Sequence, residues 1–153
     1  MASTYLRWLA AHNKVRAQYG VQALTWDTTL EAFAKRVTST CVWKHTENNQ
    51  YGENIAAGQS SLEAVVSDWV EGANEKASYV PSSPHYSHFT QVVWASSTQL
   101  GCAVTSCQDL KGGSLPQSPI PFYACEYNPP GNVEGEYAQN VKALQGGAPA
   151  VKT

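Results

Sequence analysis

No apolar run in this chain approaches the roughly 18–20 residues needed to cross a bilayer, so no spanning helix is expected. Charge is scarce too. Asp, Glu, Lys and Arg make up only 14% of the residues, which implies a surface rich in Ser, Thr, Asn and Gln. The formal net charge is -2, and Lys and Arg nowhere form a block, so the footprint of a nucleic-acid or anionic-membrane binder is missing. No two cysteines are spaced as CxxC, which argues against a zinc knuckle or a thioredoxin-type redox motif. The opening Met1-Ala2-Ser3-Thr4 lacks the apolar stretch of a secretion signal, and Met1 is read as a start residue added to a mature domain. There is no internal repeat.

What is present fits one domain. A chain of 153 residues, 42% of them hydrophobic, can bury roughly two-thirds of its surface in a single fold. Its four cysteines, Cys41, Cys102, Cys107 and Cys125, are even in number and lie largely among Gly, Ser and Thr. Two disulfides in an oxidising compartment are expected, with buried reduced thiols as the alternative.

The first half reads as three amphipathic helices. Tyr5, Trp8, Leu9, His12, Val15 and Tyr19 recur at helical steps, and Gly20 follows as a stop. A second helix is expected from Thr28, with Glu31 completing a capping box and Leu30, Phe33, Ala34 and Val37 as its stripe. A third is expected from Ser60, with Glu63 three places on and Leu62, Val65, Val66, Trp69 and Val70 on one face. The second half turns to β-branched and aromatic runs, and strands are predicted at 91–94, 101–104 and 120–127. Cys102 and Cys125 fall on two of these. Asn128-Pro129-Pro130-Gly131 ends the sheet region, and residues 146–153 read as a flexible Gly/Ala/Pro tail after a single domain of 1–145. Helices followed by strands, without βαβ alternation, indicate an α+β fold with a mostly antiparallel sheet.

Two stretches carry most of the information: Tyr51-Gly52-Glu53-Asn54-Ile55-Ala56 and His88-Phe89-Thr90-Gln91-Val92-Val93-Trp94. With Ala11-His12-Asn13 and the segment from Phe122 to Gly131, they resemble the CAP family of cysteine-rich secretory proteins, antigen 5 and pathogenesis-related protein 1. The resemblance runs in order from about Leu6 to Val133. The short cysteine complement and the Ser-Pro-rich loop look most like secreted fungal members. Two positions depart from the family pattern: Ser87 stands where many members have Gly, and Glu126 where Asn or a similar residue is usual.

The resemblance implies a three-layer α-β-α sandwich with disulfides Cys41–Cys107 and Cys102–Cys125. Closing a loop of roughly 60 residues would contribute about 4 kcal/mol. It also implies a central cleft lined by His45, Glu53, Glu75 and His88, which can hold zinc or another divalent cation; no organic cofactor is expected. Imidazole nitrogen suits Zn²⁺, and carboxylates either ligate it or fix a histidine tautomer. Spacing alone does not reveal such a site. Here Glu53 is placed in a turn, His45 after a strand at Cys41, and His88 at the start of the 88–94 strand. For the second acid, family spacing to the helix Trp and to a following Tyr leaves Glu71 and Glu75 in competition, with Glu75 fitting Tyr79 better.

The loop from Tyr79 to Phe89 matches in position the loop that the family uses for sterols. Tyr79, Tyr86 and Phe89 supply either flat apolar contact for a sterol or pins that fix the loop to the core. Pro81 and Pro84 stiffen it. His85 is expected to be solvated, with help to a metal or a lipid headgroup as the other option; His12 is expected to be a core imidazole bonded to backbone. The first and third helices are candidates to flank a fatty-acid channel. The resemblance therefore implies an extracellular, monomeric lipid binder whose partners are sterols or fatty acids. A metal-dependent hydrolase, or an effector acting through host or pathogen proteins, is the alternative. No Ser-His-Asp or Cys-His arrangement is legible, so no catalytic residue is assigned.

Overall fold

The computed structural model describes residues 3–150. Helix α1 spans Thr4–Gln18 and buries Trp8, His12 and Arg16, a stripe at four-residue steps with two polar members. Tyr5 stays largely exposed and packs on Trp26 instead. Gly20 sits at φ 67°, a left-handed turn that lets the chain double back after Tyr19.

Helix α2 spans Thr28–Ser39. Its cap is Asp27, one residue before the expected Thr28: the Asp27 carboxylate accepts from Leu30 N at 3.0 Å. Glu31, expected to close a capping box, accepts from Trp26 Nε1 instead. Phe33 is only half-buried. Helix α3 spans Leu62–Glu71 and starts one residue later than expected, because Ser61 rather than Ser60 caps it through Ala64 N. Glu63 is held by Arg7 of α1 in an exposed two-pronged pair. The predicted stripe Leu62, Val65, Val66, Trp69 and Val70 is buried throughout.

Two elements differ in kind from expectation. No strand forms at the predicted 91–94: Gln91 and Val92 close a short helix, α4, His88–Val92, and Val93 caps it. Ser87 Oγ accepts from Thr90 N at 3.0 Å and Thr90 Oγ1 from Ser87 N at 2.9 Å, a reciprocal cap that fixes a helical turn. Phe89, Thr90, Gln91 and Val92 are all buried, so the run is apolar for want of a solvent face, and β-branching misleads. Conversely, the segment read as a turn around Glu53 is strand β2, Gly52–Ala57. Its residues are poor strand formers, and pairing with a long neighbour overrides propensity.

That neighbour is β4, Ile120–Asn128, which also pairs with β3, Gln99–Cys107. The two-residue β1, Thr25–Trp26, adds in parallel to β3, giving the order β1-β3-β4-β2 with the other two pairings antiparallel. Along β4 the side chains alternate between two cores. Tyr123, Cys125 and Tyr127 join α1, α3 and α4, whereas Phe122 and Ala124 join α2. This is the three-layer arrangement, completed by the short helix α5, Tyr137–Asn140. Both disulfides pair as the resemblance implies: Cys102 and Cys125 face each other in register, and Cys41 joins Cys107 across 66 residues.

The presumed start of a loose tail is tied down. Gly146 N donates to Tyr79 O at 2.9 Å, the Tyr19 hydroxyl donates to Gly147 O, and Ala143 bridges Pro149. Hydrogen bonds to the segment's own backbone, from main chain and from the Tyr19 hydroxyl, hold residues 146–150; residues 151–153 lie outside those described.

His12 shows how polar groups are accommodated in the core. It is fully buried; Nδ1 meets Trp8 O at 2.9 Å and Nε2 meets the Tyr127 hydroxyl at 2.7 Å. Burial, followed by the cation Arg16, lowers its pKa to about 4 despite the Trp8 carbonyl. Because the folded value lies below the unfolded one, the stability contribution is fully present above about pH 6.5 and is lost as pH falls toward 4, with a magnitude of about 3 kcal/mol. The thermal midpoint should therefore drop across that window, and His12→Gln should flatten the drop. Identical pH profiles for the two proteins would refute the assignment.

Candidate functional site

The four candidate residues fall into two separate histidine–carboxylate pairs. His45, in the loop after Cys41, donates from Nδ1 to Glu53 Oε1 of β2 at 2.8 Å. Glu53 also accepts from Thr46 N at 2.9 Å, Thr46 Oγ1 at 2.7 Å and Asn49 Nδ2 at 3.2 Å. Four donors occupy its two oxygens. In the second pair, His88 Nδ1 donates to Glu75 Oε2 at 2.6 Å, and Phe89 N donates to Glu75 Oε1 at 3.0 Å. Glu75 thus stitches the end of the α3 region to the first turn of α4. Glu71 points elsewhere and pairs with Lys76 at 2.7 Å, so Glu75 is the acid of the histidine pair.

Carboxylates only accept hydrogen bonds, so each imidazole carries a proton on Nδ1, and in its neutral form keeps the Nε2 lone pair for a ligand. His88 is steadied further by Trp69, stacked at 5.8 Å between ring centroids and 17° between planes. Behind it, Asn54 Nδ2 donates to His88 O at 3.2 Å and lies 3.3 Å from the Tyr127 hydroxyl, which reaches back to His12. A buried polar chain therefore runs from α1 to the first residue of α4.

These groups suit a divalent cation as two imidazole donors with carboxylates holding them, not as a four-ligand cage. Among the described residues, no three His, Cys, Asp or Glu side chains come together as a metal-binding group. The fit lies in the donor chemistry: the free Nε2 atoms are the ligands on offer, and the Glu53 oxygens are already engaged.

Glu126 lies beneath Glu53 as its cross-strand partner. It is fully buried, accepts from Asn49 Nδ2 at 2.9 Å through one oxygen, and leaves Oε2 without a hydrogen-bond partner among the described residues. Burial, then the negative Glu53, push its pKa up to about 10, so it is a neutral acid at pH 7. Burial works against the charge on Glu53 too, yet His45, then the neighbouring Glu126 and Thr46 outweigh it and hold its pKa down to about 2. The pair carries one negative charge.

A cleft of about 220 Å³ opens over His45 and Glu53, walled by Thr46, Asn49, Gln91 and Asn132. Sequence reading missed these four, because Asn, Gln and Thr near a turn look like ordinary surface. Only the glycines hint at them. The Gln91 amide is wedged between Gly52 and Gly131, where any Cβ would overlap it, and Gln91 Oε1 accepts from Gly131 N at 3.0 Å.

The loop aromatics divide. Tyr79 and Phe89 are core residues, packed on each other and, through Phe89, on Tyr19. Tyr86 is 79% exposed. Pro81 and His85 are exposed and Pro84 is half-buried. Helices α1 and α3 do lie together, with Trp8 stacked on Trp69 at 6.4 Å.

A sequence model described as the Cysteine-rich secretory protein family (CAP) matches residues 9–127. The chain belongs to the CAP family. It is 40% identical over 137 residues to the secreted protein PRY1 of Candida albicans, covering 87% of this chain and 31% of PRY1. It is 37% identical over 142 residues to pathogenesis-related protein 1C of Nicotiana tabacum, covering 84% and 77%. The chain spans between about a third and a half of the first curated relatives it matches. Among solved structures, Schistosoma mansoni venom allergen-like protein 4 matches with a TM-score of 0.68 at 20% identity, over 87% of this chain and 92% of that one. The fold is the CAP fold, and its secreted fungal relatives, with the two disulfides, place the chain outside the cell.

If Glu75 sets the His88 tautomer, Glu75→Gln should shift the ring toward the Nε2–H form. Long-range ¹H–¹⁵N spectra of the imidazole should report the change. An unchanged tautomer would show that another group holds the ring.

Proposed function

We propose that this CAP domain is an extracellular lipid-binding protein that sequesters or exports sterols or fatty acids, with the loop from Tyr79 to Phe89 as its sterol contact. The observation that carries this is the way Tyr86 is presented. It stands 79% exposed on a loop whose two ends, Tyr79 and Phe89, are anchored in the core. A rigid sterol needs a flat apolar face and one polar partner for its hydroxyl. Tyr86 offers the first, and its own hydroxyl or His85 the second. Anchored ends and two prolines reduce the ordering cost of binding.

In saturation titrations with labelled ergosterol and cholesterol, Tyr86→Ala should weaken binding about tenfold while leaving the unfolding midpoint unchanged. Sterol affinity untouched by that change, or no saturable binding at micromolar protein, would refute the loop's role.

We also propose that His45 and His88 take a divalent cation such as zinc through Nε2. The observation favouring it is the pair of carboxylate-held imidazoles. The crystal structure of NaASP2, 22% identical to this chain, is one with Zn²⁺, a fact about that protein. When bound, the cation would supply Lewis acidity; Glu53 and Glu75 would orient its ligands and Glu126 would keep a proton beside them. In calorimetric titration with zinc alone, His88→Ala should lower affinity at least about tenfold. Equal affinity in a His45→Ala/His88→Ala double variant would place bound zinc elsewhere.

A further inference from the structure

A second and larger cavity lies on the other side of His45, between the last turns of α2 and the segment 42–47. Its volume is about 480 Å³, within the range of small-molecule sites. Phe33 and Val37 of α2, with Val42, give it an apolar wall. Charged side chains stand at its rim, and they do not balance. Lys44 and Glu47 satisfy each other at 2.9 Å. Arg36 has no carboxylate partner among the described residues. Its guanidinium lies 5.4 Å from the Phe33 ring centroid, a stacking that steers the group while leaving its N–H donors available.

One uncompensated cation beside an apolar wall specifies an occupant with one anion and a compact apolar body. We propose that this cavity binds a hydrophobic monocarboxylate, its body against Phe33, Val37 and Val42 and its carboxylate on the Arg36 guanidinium. An aromatic acid and a medium-chain aliphatic acid share that chemistry. The cavity shares no residue with the 79–89 loop, so it stands whether or not that loop binds sterol. It shares His45 and Thr46 with the small cleft, which brings an occupant up to the exposed side of the first histidine pair.

The test is calorimetric titration of the full chain with 2-naphthoate and with decanoate, using decanol as the uncharged control. Saturable binding of either acid is expected, weakened about tenfold in Arg36→Gln, with any decanol binding indifferent to that change. Binding of one acid only identifies which body fits. Arg36 is exposed, so the variant should fold, and circular dichroism checks it. Backbone amide shifts on adding the acid should centre on 36–46 in the native chain. Equal acid affinity in Arg36→Gln, shifts centred on 79–89 or on α1 and α3, or no saturation by millimolar acid would each overturn the proposal.

Discussion

The cation of Arg16, buried with no carboxylate partner among the described residues, is the constraint on which the helical layer depends. Its guanidinium donates to four backbone carbonyls: Gln22, Val92, Trp94 and Ser97, at 2.8–3.0 Å. Burial lowers its pKa to about 10, so it remains charged at neutral pH. Removing such a charge from water costs several kcal/mol, and only a full set of acceptors offsets that. The acceptors come from the end of α4 and the loops after α1 and α4, so a single side chain fixes three segments against α1. With its far end held in this way, α4 has one orientation, and His88 at its near end is delivered to Glu75 and Trp69.

The division of labour within the two histidine pairs follows from hydrogen-bond capacity. Glu53 has no unused acceptor site, so it acts by holding His45. Glu75 spends one oxygen on His88 and the other on the backbone of Phe89. Such orientation from behind leaves the Nε2 atoms as the chemically available groups. Glu126 contributes by being neutral: a second charge below Glu53, in the same buried space, would be costly. Asn49 donates toward both carboxyls and lets them lie close together.

Much of this was legible in the sequence where a pattern has a local cause. The α3 stripe from Leu62 to Val70 is a helical period, and the β4 run is an aromatic strand. Family resemblance supplied both disulfides and the two histidines with their acids, which spacing alone could not, since the pairs join residues eight and 13 apart on different elements. Legibility failed where tertiary partners decide. Residues 52–57 are a strand because β4 lies beside them, and residues 88–92 are a helix because Ser87 caps them. The 146–150 segment is bonded to the rest of the chain because Tyr19 and Tyr79 offer it partners. Arg16 gave no signal at all, since a basic residue in an amphipathic pattern looks like surface.

The anchored loop carries a consequence for how such a domain diversifies. Tyr79 and Phe89 are gripped by the core, while Pro81, Ser82, Ser83, His85 and Tyr86 project outward. Folding information and recognition information are therefore written in different letters of one short segment. The outward letters can be exchanged like a cartridge, and the scaffold would register little change in stability.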